Sequence, residues 1–542
     1  MAAPSSRKEL LSTLKTELPS QLPAYLKSQR WFGGKARELH GTEVVDIVSL
    51  PRPGINALVL LLKVQYQGGG EDLYSVPLLY DEAAGASEGS ANKDGAARLA
   101  VSGHKGSAQI VFSDALKDEH FLAFLLDAIR KGLVFTGEAG ELRTTHTHAL
   151  SLQETGAAGS LHPRAIKAEQ SNSSIAYGER LILKFFRRLE EGINPDLEMT
   201  SFLTEKAGYQ HTPQLLGALE YITGSGRRMT QGILQTFVAN QGDAWQYTMK
   251  CISRFYHEVA DISPDGSPAD GSSVPAPRDL ALASQREFLE SAALLGRRTA
   301  ELHLALASGP AAEDPDFAPE PFDATFQEGL EQALMDLTGR IFTQLRKSKE
   351  ELHESLQSKA EEILCGQDKI TQRFHTALSA PIQAQRTRIH GDYHLGQVLY
   401  TGTDFVIIDF EGEPARPMSQ RRLKRSPLQD VAGMLRSFHY AAYGPLLAST
   451  GTVNVDEKKK QNLNDWAEVW AKWVGDRYLE EYLKTATGAA FLPPTREEIT
   501  ALLQLYVLEK AVYELGYELN NRPEWVAIPL EGISKMLLAA TP

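Results

Sequence analysis

The sequence of 542 residues predicts an α+β fold with a β-rich N-terminal part and a helical C-terminal part. Residues 43–80 alternate apolar and polar side chains as paired strands do, and strand patterns return between about 141 and 186. Long helical patterns dominate from residue 284 onward, including one that runs over 324–378. A chain of this length is too long for one hydrophobic core, so we expect two or three domains.

The expected domains follow one another along the chain. We expect residues 1–115 to form a β-rich N-terminal subdomain, residues 116–240 a mixed β/α lobe, and residues 241–542 a helical lobe. Two segments, 82–107 and 262–279, are rich in small residues or proline, which predicts loosely structured surface loops.

Composition narrows the class of protein. The net charge of -13 argues against nucleic acid or an anionic membrane as a partner. The two cysteines, Cys251 and Cys365, lie far apart without metal-ligand spacing, which predicts a reducing compartment, the cytoplasm. The N-terminus lacks an apolar signal core, and Lys63 interrupts the longest apolar run, so we expect no membrane segment.

Two motifs predict a site for phosphoryl transfer. Residues 390–397 read His-Gly-Asp-Tyr-His-Leu-Gly-Gln, and residues 409–412 read Asp-Phe-Glu-Gly after a strand, a turn and a strand. Protein kinases carry H-R-D-x-x-x-x-N and then D-F-G at this spacing. Either motif alone would indicate an acidic hairpin with a buried histidine. Both together, in order, favour a bilobal fold like that of eukaryotic protein kinases.

The chemistry of phosphoryl transfer explains these residue types. Asp392 would orient the attacking hydroxyl and accept its proton, and Asp409 would hold Mg²⁺ across the phosphates of ATP. Gln397 would add a neutral oxygen ligand, which a hard cation such as Mg²⁺ prefers.

A lysine inside an apolar strand predicts the nucleotide side of the site. Lys184 lies within residues 181–186, and a helix with the good N-cap Asn194 follows, with Glu198 in its first turn. Kinases use such a lysine on the nucleotide phosphates and pair it with a helical glutamate. The alternative is an edge-strand lysine beside an ordinary first-turn glutamate.

Two weaker signals flank this lysine. The turn with Ser171 and Ser173 could lay N–H groups against phosphates, although it lacks the G-x-G-x-x-G pattern. The strand that includes Gln235, Phe237 and Val238 falls where a hinge would bring its backbone to the adenine. A plain strand and turn is an equally good interpretation of that stretch.

A C-terminal helix offers a face suited to a sugar. Thr495 and Glu498 form a predicted capping box. Lys510, Tyr513, Glu514 and Tyr517 then share one face at i, i+3, i+4 and i+7. Such a face can stack on a sugar ring and bond its hydroxyls, and the competing interpretation is a solvated helix surface.

Histidines outside these motifs have structural interpretations. His303 lies in an apolar helix and is expected to be a hydrogen-bonded core residue. His394 is expected to brace the catalytic loop rather than react, and the alternating His146 and His148 are expected on the surface.

With these residues in hand, the chain closely resembles bacterial maltokinases, including the maltokinase part of trehalose synthase fusions. The matching pieces span almost the whole chain in order. They are residues 29–35 (Gln-Arg-Trp-Phe-Gly-Gly-Lys), 169–174, 181–189, 194–198, 295–303, 390–398, 409–414 and 508–517.

The resemblance implies a kinase fold with a cap, and ATP-dependent phosphorylation of maltose at its anomeric hydroxyl, with Mg²⁺. The product, maltose 1-phosphate, would feed α-glucan and glycogen synthesis, and any coupling to trehalose synthase would need a separate chain. The roles given above to Lys184, Glu198, Asp392, Gln397 and Asp409 carry over. Sugar-side residues implied by the resemblance are His394, Glu411, Glu509, Lys510, Tyr513, Glu514 and Tyr517.

Two rival functions remain at this point. The same fold could phosphorylate glucosamine, another sugar or an aminoglycoside, since fold does not fix the substrate. A non-catalytic binding protein on this fold would be expected to lose Lys184, Asp392 or Asp409, and all three are present. The Trp-Phe pair at residues 31 and 32 is interpreted as a buried structural corner of the cap.

Overall fold

The computed structural model describes most of the chain and divides it into two compact units. The first unit is Met1–Thr204 with Pro213–Ala239, and the second is Glu205–Thr212 with Asn240–Pro542. The described residues are 4–83, 99–102, 109–154, 161–166, 172–262, 264, 277–310, 312–449 and 457–538. Ser171 and most of the two predicted loops, 82–107 and 262–279, lie outside these ranges.

The first unit begins with a helix on an antiparallel sheet. The elements are α1 (Pro4–Ser28), β1 (Leu39–Arg52), β2 (Ile55–Tyr66), β3 (Glu71–Ala83), β4 (Leu99–Val101) and β5 (Gln109–Asp114). The strand order is β1-β2-β3-β5-β4. Strand β4 falls inside the predicted loop 82–107. Its residues Leu99 and Val101 are buried, but the many small residues near them in the sequence favoured the prediction of a loop.

A second antiparallel sheet of the same unit carries the predicted lysine strand. Its elements and flanking helices are α2 (Glu119–Lys131), β6 (Val134–Thr136), β7 (Gly140–His146), α3 (His148–Glu154), β8 (Pro163–Ile166), β9 (Asn172–Tyr177), β10 (Leu181–Phe186), β11 (Arg188–Leu189), α4 (Pro195–Glu205), β12 (Leu215–Thr223) and β13 (Arg228–Thr236). The order is β6-β7-β12-β13-β10-β9-β8, whereas β11 pairs with β3 of the first sheet. The chain therefore changes sheets between β10 and β11.

The second unit is mainly helical. Its elements are α5 (Ala244–Val259), α6 (Pro277–Ser284), α7 (Arg286–Leu306), β14 (Glu320–Pro321), α8 (Ala324–Ser348), α9 (Glu354–Cys365), α10 (Gln367–Leu378), β15 (Gln385–Arg386), β16 (Val398–Tyr400), β17 (Phe405–Ile407), α11 (Met418–Arg421), α12 (Leu428–Ser449), α13 (Glu457–Thr485), α14 (Arg496–Asn521) and α15 (Ala527–Leu538). The β-rich start and helical end confirm the predicted α+β class.

Two local predictions of the helical part have different outcomes. The capping box of α14 is confirmed, because Thr495 and Glu498 cap each other's backbone N–H. The single helical pattern over 324–378 was wrong. A 3₁₀ turn over Lys349–Glu351 ends α8, and His353 starts α9 by accepting a hydrogen bond from the Ser355 N–H. Gly366 then separates α9 from α10, and its N–H bonds carbonyl oxygens of the last turn of α9.

None of the helices among the described residues has a stretch both long and apolar enough to cross a bilayer.

Candidate active site

The predicted catalytic loop of the second unit is fixed by one buried carboxylate. Asp430, at the start of α12, accepts hydrogen bonds from the N–H groups of His390 (2.7 Å) and Gly391 (2.9 Å). A carboxylate oxygen of Asp430 also lies 3.1 Å from Nε2 of His303. The other ring nitrogen of His303, Nδ1, lies 2.9 Å from the Tyr482 hydroxyl. His303 is thus a hydrogen-bonded core residue, as predicted. Burial would raise the pKa of Asp430, but the bond and charge of His303 lower it below its usual value.

The loop is also tied to the strand that ends at Asp409. His390 Nε2 lies 2.9 Å from the Ile408 carbonyl oxygen, and the Ile408 N–H donates to the Gln397 carbonyl at 3.0 Å. The His390 ring packs against Phe410, with ring centroids 5.1 Å apart. These contacts bring Asp392, Gln397 and Asp409 into one small region of the second unit.

Asp409 stands in an unusual backbone conformation. Its φ of 68° makes it the only non-glycine residue of the described chain in the left-handed region. A carboxylate oxygen of Asp409 lies within 4.8 Å of one of Glu411. Two carboxylates this close offer the hard oxygen donors that Mg²⁺ prefers, so the residues present fit this metal, and the part of Gln397 as a further ligand stays a prediction.

The acceptor face predicted on α14 meets the catalytic loop through one lysine. Lys510 Nζ lies 3.9 Å from Asp392 Oδ1 and 4.9 Å from the centre of the Tyr513 ring. The Tyr513 hydroxyl bonds the buried Glu413, whose carboxylate also accepts from Arg416 Nε. Burial would raise the pKa of Glu413, but Lys510 and Arg416 together lower it. Positive and negative side chains therefore alternate along this face, in the order Asp392, Lys510, Glu413 and Arg416.

His394 braces this loop rather than standing free. Its Nδ1 accepts a hydrogen bond from the Gly396 N–H at 3.0 Å and so caps the 3₁₀ turn Leu395–Gln397. Burial, Lys510 and His390 lower the pKa of His394 despite the opposing charges of Asp392 and Asp409. A neutral ring that accepts at Nδ1 is consistent with the expected bracing role.

The remaining predicted residues of α14 have different surroundings. Glu509 lies 3.3 Å from the Gln429 amide nitrogen, and burial with the charge of Glu413 raises the pKa of Glu509. Glu514 pairs with the buried Arg436 at 2.7 Å. Tyr517 is 45% exposed, with Arg522 over its ring. The structure thus gathers Lys510 and Tyr513 beside Asp392, while Glu514 has a partner in α12.

The first unit holds the predicted nucleotide residues. Lys184 Nζ lies 3.5 Å from a carboxylate oxygen of the buried Asp196, in the first turn of α4. Glu198 lies in the same turn, and its pairing with Lys184 stays a prediction. Ser173 Oγ accepts from Arg187 Nε at 3.0 Å.

The predicted hinge lies at the end of β13 in the first unit. Gln235 is in β13, Phe237 and Val238 follow it, and the Phe237 N–H donates to the Arg180 carbonyl at 2.7 Å. A contact of this backbone with adenine stays a prediction.

A buried arginine joins the two sheets of the first unit. Arg187 follows β10, is 2% exposed, and pairs with Asp114 at 2.7 Å. Its guanidinium also lies 4.7 Å from the centre of the Trp31 ring. Trp31 and Phe32 are buried against Tyr74, which agrees with the interpretation of this motif as a structural corner.

Sequence reasoning missed several charged residues around the site. Glu413 and Arg416 belong to the Glu-Pro-Ala-Arg stretch that directly follows residues 409–412, and this proximity was the available signal. Asp196 and Asp430 gave no signal, because each is an ordinary acidic residue near the start of a helix. Their partners become visible only when the chain is folded.

Comparison with known families agrees with this geometry. Residues 271–451 match the model of the phosphotransferase enzyme family, and the chain is therefore a phosphotransferase with a kinase-like bilobal fold. Residues 25–118 match the model of the maltokinase N-terminal cap domain. A maltokinase-type cap ahead of a phosphotransferase domain confirms the resemblance to maltokinases that was seen in the sequence.

Related proteins share the architecture at low identity. A glucosamine kinase of Streptacidiphilus jiangxiensis is 22% identical over 386 residues, covering 71% of this chain and 75% of its own. A glucosamine kinase of Mycolicibacterium smegmatis is 22% identical over 379 residues, covering 69% and 79%. A solved glucosamine kinase (crystal form B) superposes with a TM-score of 0.63 at 17% identity, covering 97% of this chain and 99% of its own.

Proposed function

We propose that the protein transfers the γ-phosphoryl group of ATP to the anomeric hydroxyl of maltose and so forms maltose 1-phosphate. The position of Lys510 is the observation that carries the choice of acceptor. Its ammonium group lies 3.9 Å from Asp392, the residue assigned to the reacting hydroxyl. Any acceptor whose hydroxyl reaches Asp392 therefore comes close to a fixed positive charge.

A fixed positive charge favours a neutral sugar over an amino sugar. Two like unit charges about 4 Å apart repel by about 1 kcal/mol in water and about 4 kcal/mol near a protein surface. Lys510 donates hydrogen bonds and accepts none, so it suits the oxygen atoms of a sugar. The exposed part of the Tyr513 ring supplies an apolar surface for the C–H groups of the same sugar.

The catalytic roles follow from this placement. Asp392 orients the anomeric hydroxyl and takes its proton as the new P–O bond forms and the bond between the β,γ-bridging oxygen and the γ-phosphorus breaks. Asp409, Glu411 and Gln397 would hold Mg²⁺, which neutralises phosphate charge when bound. Lys184 and Glu198, with the backbones of Ser171, Ser173, Gln235, Phe237 and Val238, are proposed to bind ATP.

A second candidate acceptor is glucosamine, because the named relatives are glucosamine kinases. The carboxylates of Glu413 and Glu509 could attract an ammonium group, and Lys510 opposes that attraction. Removing the charge of Lys510 should therefore favour the reaction with glucosamine and disfavour the reaction with maltose.

An acceptor panel tests the proposal. Wild-type protein with Mg·ATP is assayed on maltose, glucose, glucosamine and trehalose, and the phosphorylated carbon is located by ³¹P and ¹H NMR. We expect maltose to have the highest kcat/KM and phosphate at its anomeric carbon. Lys510→Met should raise the ratio of kcat/KM for glucosamine to that for maltose by about tenfold or more. Glucosamine as the best substrate of the wild type would overturn the choice of maltose.

Supply of maltose by a trehalose synthase on a separate chain would fit this activity. A coupled assay that starts from trehalose and ends in maltose 1-phosphate checks it, and it should require both proteins.

A further inference from the structure

Three buried hydrogen-bond donors of the first unit have no partner among the residues that the structure describes. They are Tyr25 Oη near the end of α1, Trp31 Nε1 just after α1, and Arg187 Nη1 between β10 and β11. The three residues are 4%, 7% and 2% exposed. A buried donor that leaves water without gaining a partner costs stability, so three of them together indicate a ligand.

Arg187 and Trp31 lie against each other. The guanidinium carbon of Arg187 lies 4.7 Å from the centre of the Trp31 ring. Nη2 of Arg187 donates to Asp114 at 2.7 Å and Nε donates to Ser173 at 3.0 Å, so Nη1 is the one nitrogen of a fixed side chain that is left over. The face of an aromatic ring accepts an N–H bond only weakly, so stacking on Trp31 does not replace a partner for Nη1.

Tyr25 brings the third donor to the same part of the first unit. It belongs to one hydrophobic core cluster with Trp31 and Tyr74, and the rings of these last two have centroids 6.1 Å apart. The charges of Asp114 and Arg187 both act on the Tyr25 hydroxyl. Burial and then the charge of Asp114 raise the pKa of Tyr25, so its hydroxyl keeps its proton and can donate.

The three donors indicate the chemistry of the ligand. An indole N–H and a guanidinium N–H donate and never accept, and a phenol hydroxyl can donate as well. One water molecule has two lone pairs and cannot take all three bonds, and its own protons would need acceptors. Thr230 and Gln231 of β13 also have buried oxygen atoms without partners in the described chain, and those oxygens can accept from water. An anion, in contrast, accepts from several donors and needs none in return.

Charge and enclosure narrow the choice of anion. Nη1 belongs to a positively charged guanidinium, and hydrogen bonds from a charged donor to an anion are stronger than neutral ones. Asp114 already balances part of this charge, which disfavours a divalent anion. Because all three side chains are more than nine-tenths buried, a small anion fits better than a large one.

We propose that Tyr25, Trp31 and Arg187 form a buried binding site for a small monovalent anion, chloride above all. The anion joins α1 and the segment after it to the turn between β10 and β11. The Trp-Phe motif at residues 31 and 32 then supplies a ligand-binding N–H as well as a structural corner. The site is independent of the proposed function, since none of these three residues is assigned to ATP or to the acceptor.

A chloride titration of thermal unfolding tests the site. Sodium chloride replaces sodium gluconate at constant ionic strength, so that screening of surface charges does not change. The Tm of the wild type should rise by about 2 °C or more once chloride is about tenfold above its Kd. Trp31→Phe and Tyr25→Phe each remove one donor and keep an aromatic ring, and each should lose most of this rise.

Tyr177→Phe is the matched control in the same unit. The Tyr177 hydroxyl is buried too, but it donates to the Leu122 carbonyl at 2.9 Å. Tyr177→Phe should therefore lower Tm at every chloride concentration and keep the rise with chloride. Tyr25→Phe without chloride should have a Tm at or above that of the wild type, because it removes a buried hydroxyl that has no partner.

Crystals grown in sodium bromide locate the ion directly. An anomalous difference peak is expected within hydrogen-bond distance of Trp31 Nε1 and Arg187 Nη1. A Tm that does not depend on chloride, a rise that survives in both donor variants, or a rise that is lost equally in Tyr177→Phe would overturn the site. Ordered water in place of the peak would also overturn it, as would a peak without any effect on Tm, which shows an adventitious ion only. If Trp31→Phe does not fold, Tyr25→Phe and the wild-type titration decide.

Discussion

Two arginines, one in each unit, show how differently this chain uses buried positive charge. Arg187 of the first unit is 2% exposed and has an aspartate partner at 2.7 Å, a serine partner at 3.0 Å and an aromatic ring over its guanidinium. Arg425 of the second unit is partly buried and has no such partners among the described residues. The residue type is the same, and only Arg187 has the partners expected of a structural residue.

The same distinction separates neighbours on α14. Glu514 pairs with the buried Arg436, whereas Lys510 has its amino group 3.9 Å from Asp392 and makes no shorter ion pair within the described chain. Removing one partner of a satisfied buried pair leaves an unpaired charge, which costs stability. Removing a group that is held for a ligand should change binding and leave stability nearly intact. The following experiments test this contrast.

The largest effect is expected for Arg187. Arg187→Met leaves Asp114 buried without its cation and should lower the free energy of unfolding by about 3–5 kcal/mol. Urea unfolding measures this, and the double variant Arg187→Met with Asp114→Leu should recover part of the loss. Arg425→Met, the matched variant in the second unit, should lower stability by less than about 1 kcal/mol. Equal losses at the two arginines would break the contrast.

Asp392 of the catalytic loop, compared with Asp430 of α12, which holds that loop, extends the contrast to catalysis. Asp392→Asn should reduce kcat by about 100-fold or more, because a positioned base typically contributes a factor of 10²–10⁴. Its Tm should stay near that of wild type, since Lys510 at 3.9 Å is its nearest charged partner among the described residues. Asp430→Asn is the control, and its loss should appear first in Tm. Wild-type turnover in Asp392→Asn would remove Asp392 from its assigned role.

Glu514 and Tyr513 form a smaller test on one helix. Glu514→Ala should lower the free energy of unfolding by about 2 kcal/mol, because it leaves Arg436 buried and unpaired. Tyr513→Ala should instead raise the KM for maltose and leave the KM for ATP nearly unchanged. Chemical unfolding and steady-state kinetics on both variants decide. A KM effect confined to Glu514→Ala would reverse the two assignments.

The smallest expected effect is a difference between Glu509 and Glu413 in how each contributes to stability as pH changes. The pKa of Glu509 is raised above its usual 4.5, so the folded state binds this proton more tightly and loses stability as pH rises past that value. Glu509→Gln should therefore raise Tm at neutral pH, and the gain should disappear below pH 4.5. The pKa of Glu413 is lowered, so its contribution is present above pH 4.5 and is lost in acid. Glu413→Gln should accordingly lower Tm at neutral pH, and the same sign in both variants would contradict this assignment.

The sequence predicted the α+β class because the features behind it are local. A continuous apolar run marks β2, apolar spacing marks α14, and the capping box of α14 needs only Thr495 and Glu498. The positions of Asp392 and Asp409 were predictable for the same reason, since a short hairpin joins them. The division of residues 324–378 into three helices was not predicted, because the apolar spacing continues across Gly366.

The charge pairs could not be predicted, because they join residues distant in sequence. Asp430 lies 40 residues from His390, and their hydrogen bond depends on the packing of α12 against the loop. Asp114 and Arg187 lie 73 residues apart and meet only because the chain changes sheets. The sequence shows where a charged residue lies, and the folded chain shows whether that residue has an ion-pair or hydrogen-bond partner.

The backbone of Asp409 has a consequence for protein engineering. A non-glycine residue held at a φ of 68° carries strain that glycine would not have, and alanine would have no side-chain hydrogen bonds to compensate for it. A selection for heat resistance alone should therefore enrich Asp409→Gly, giving a protein more robust than the wild type yet without activity. Alanine scanning would confuse strain with loss of a ligand at this position, so Asp409→Asn is the cleaner probe. Thermal melts of the glycine, asparagine and alanine variants should rank in that order.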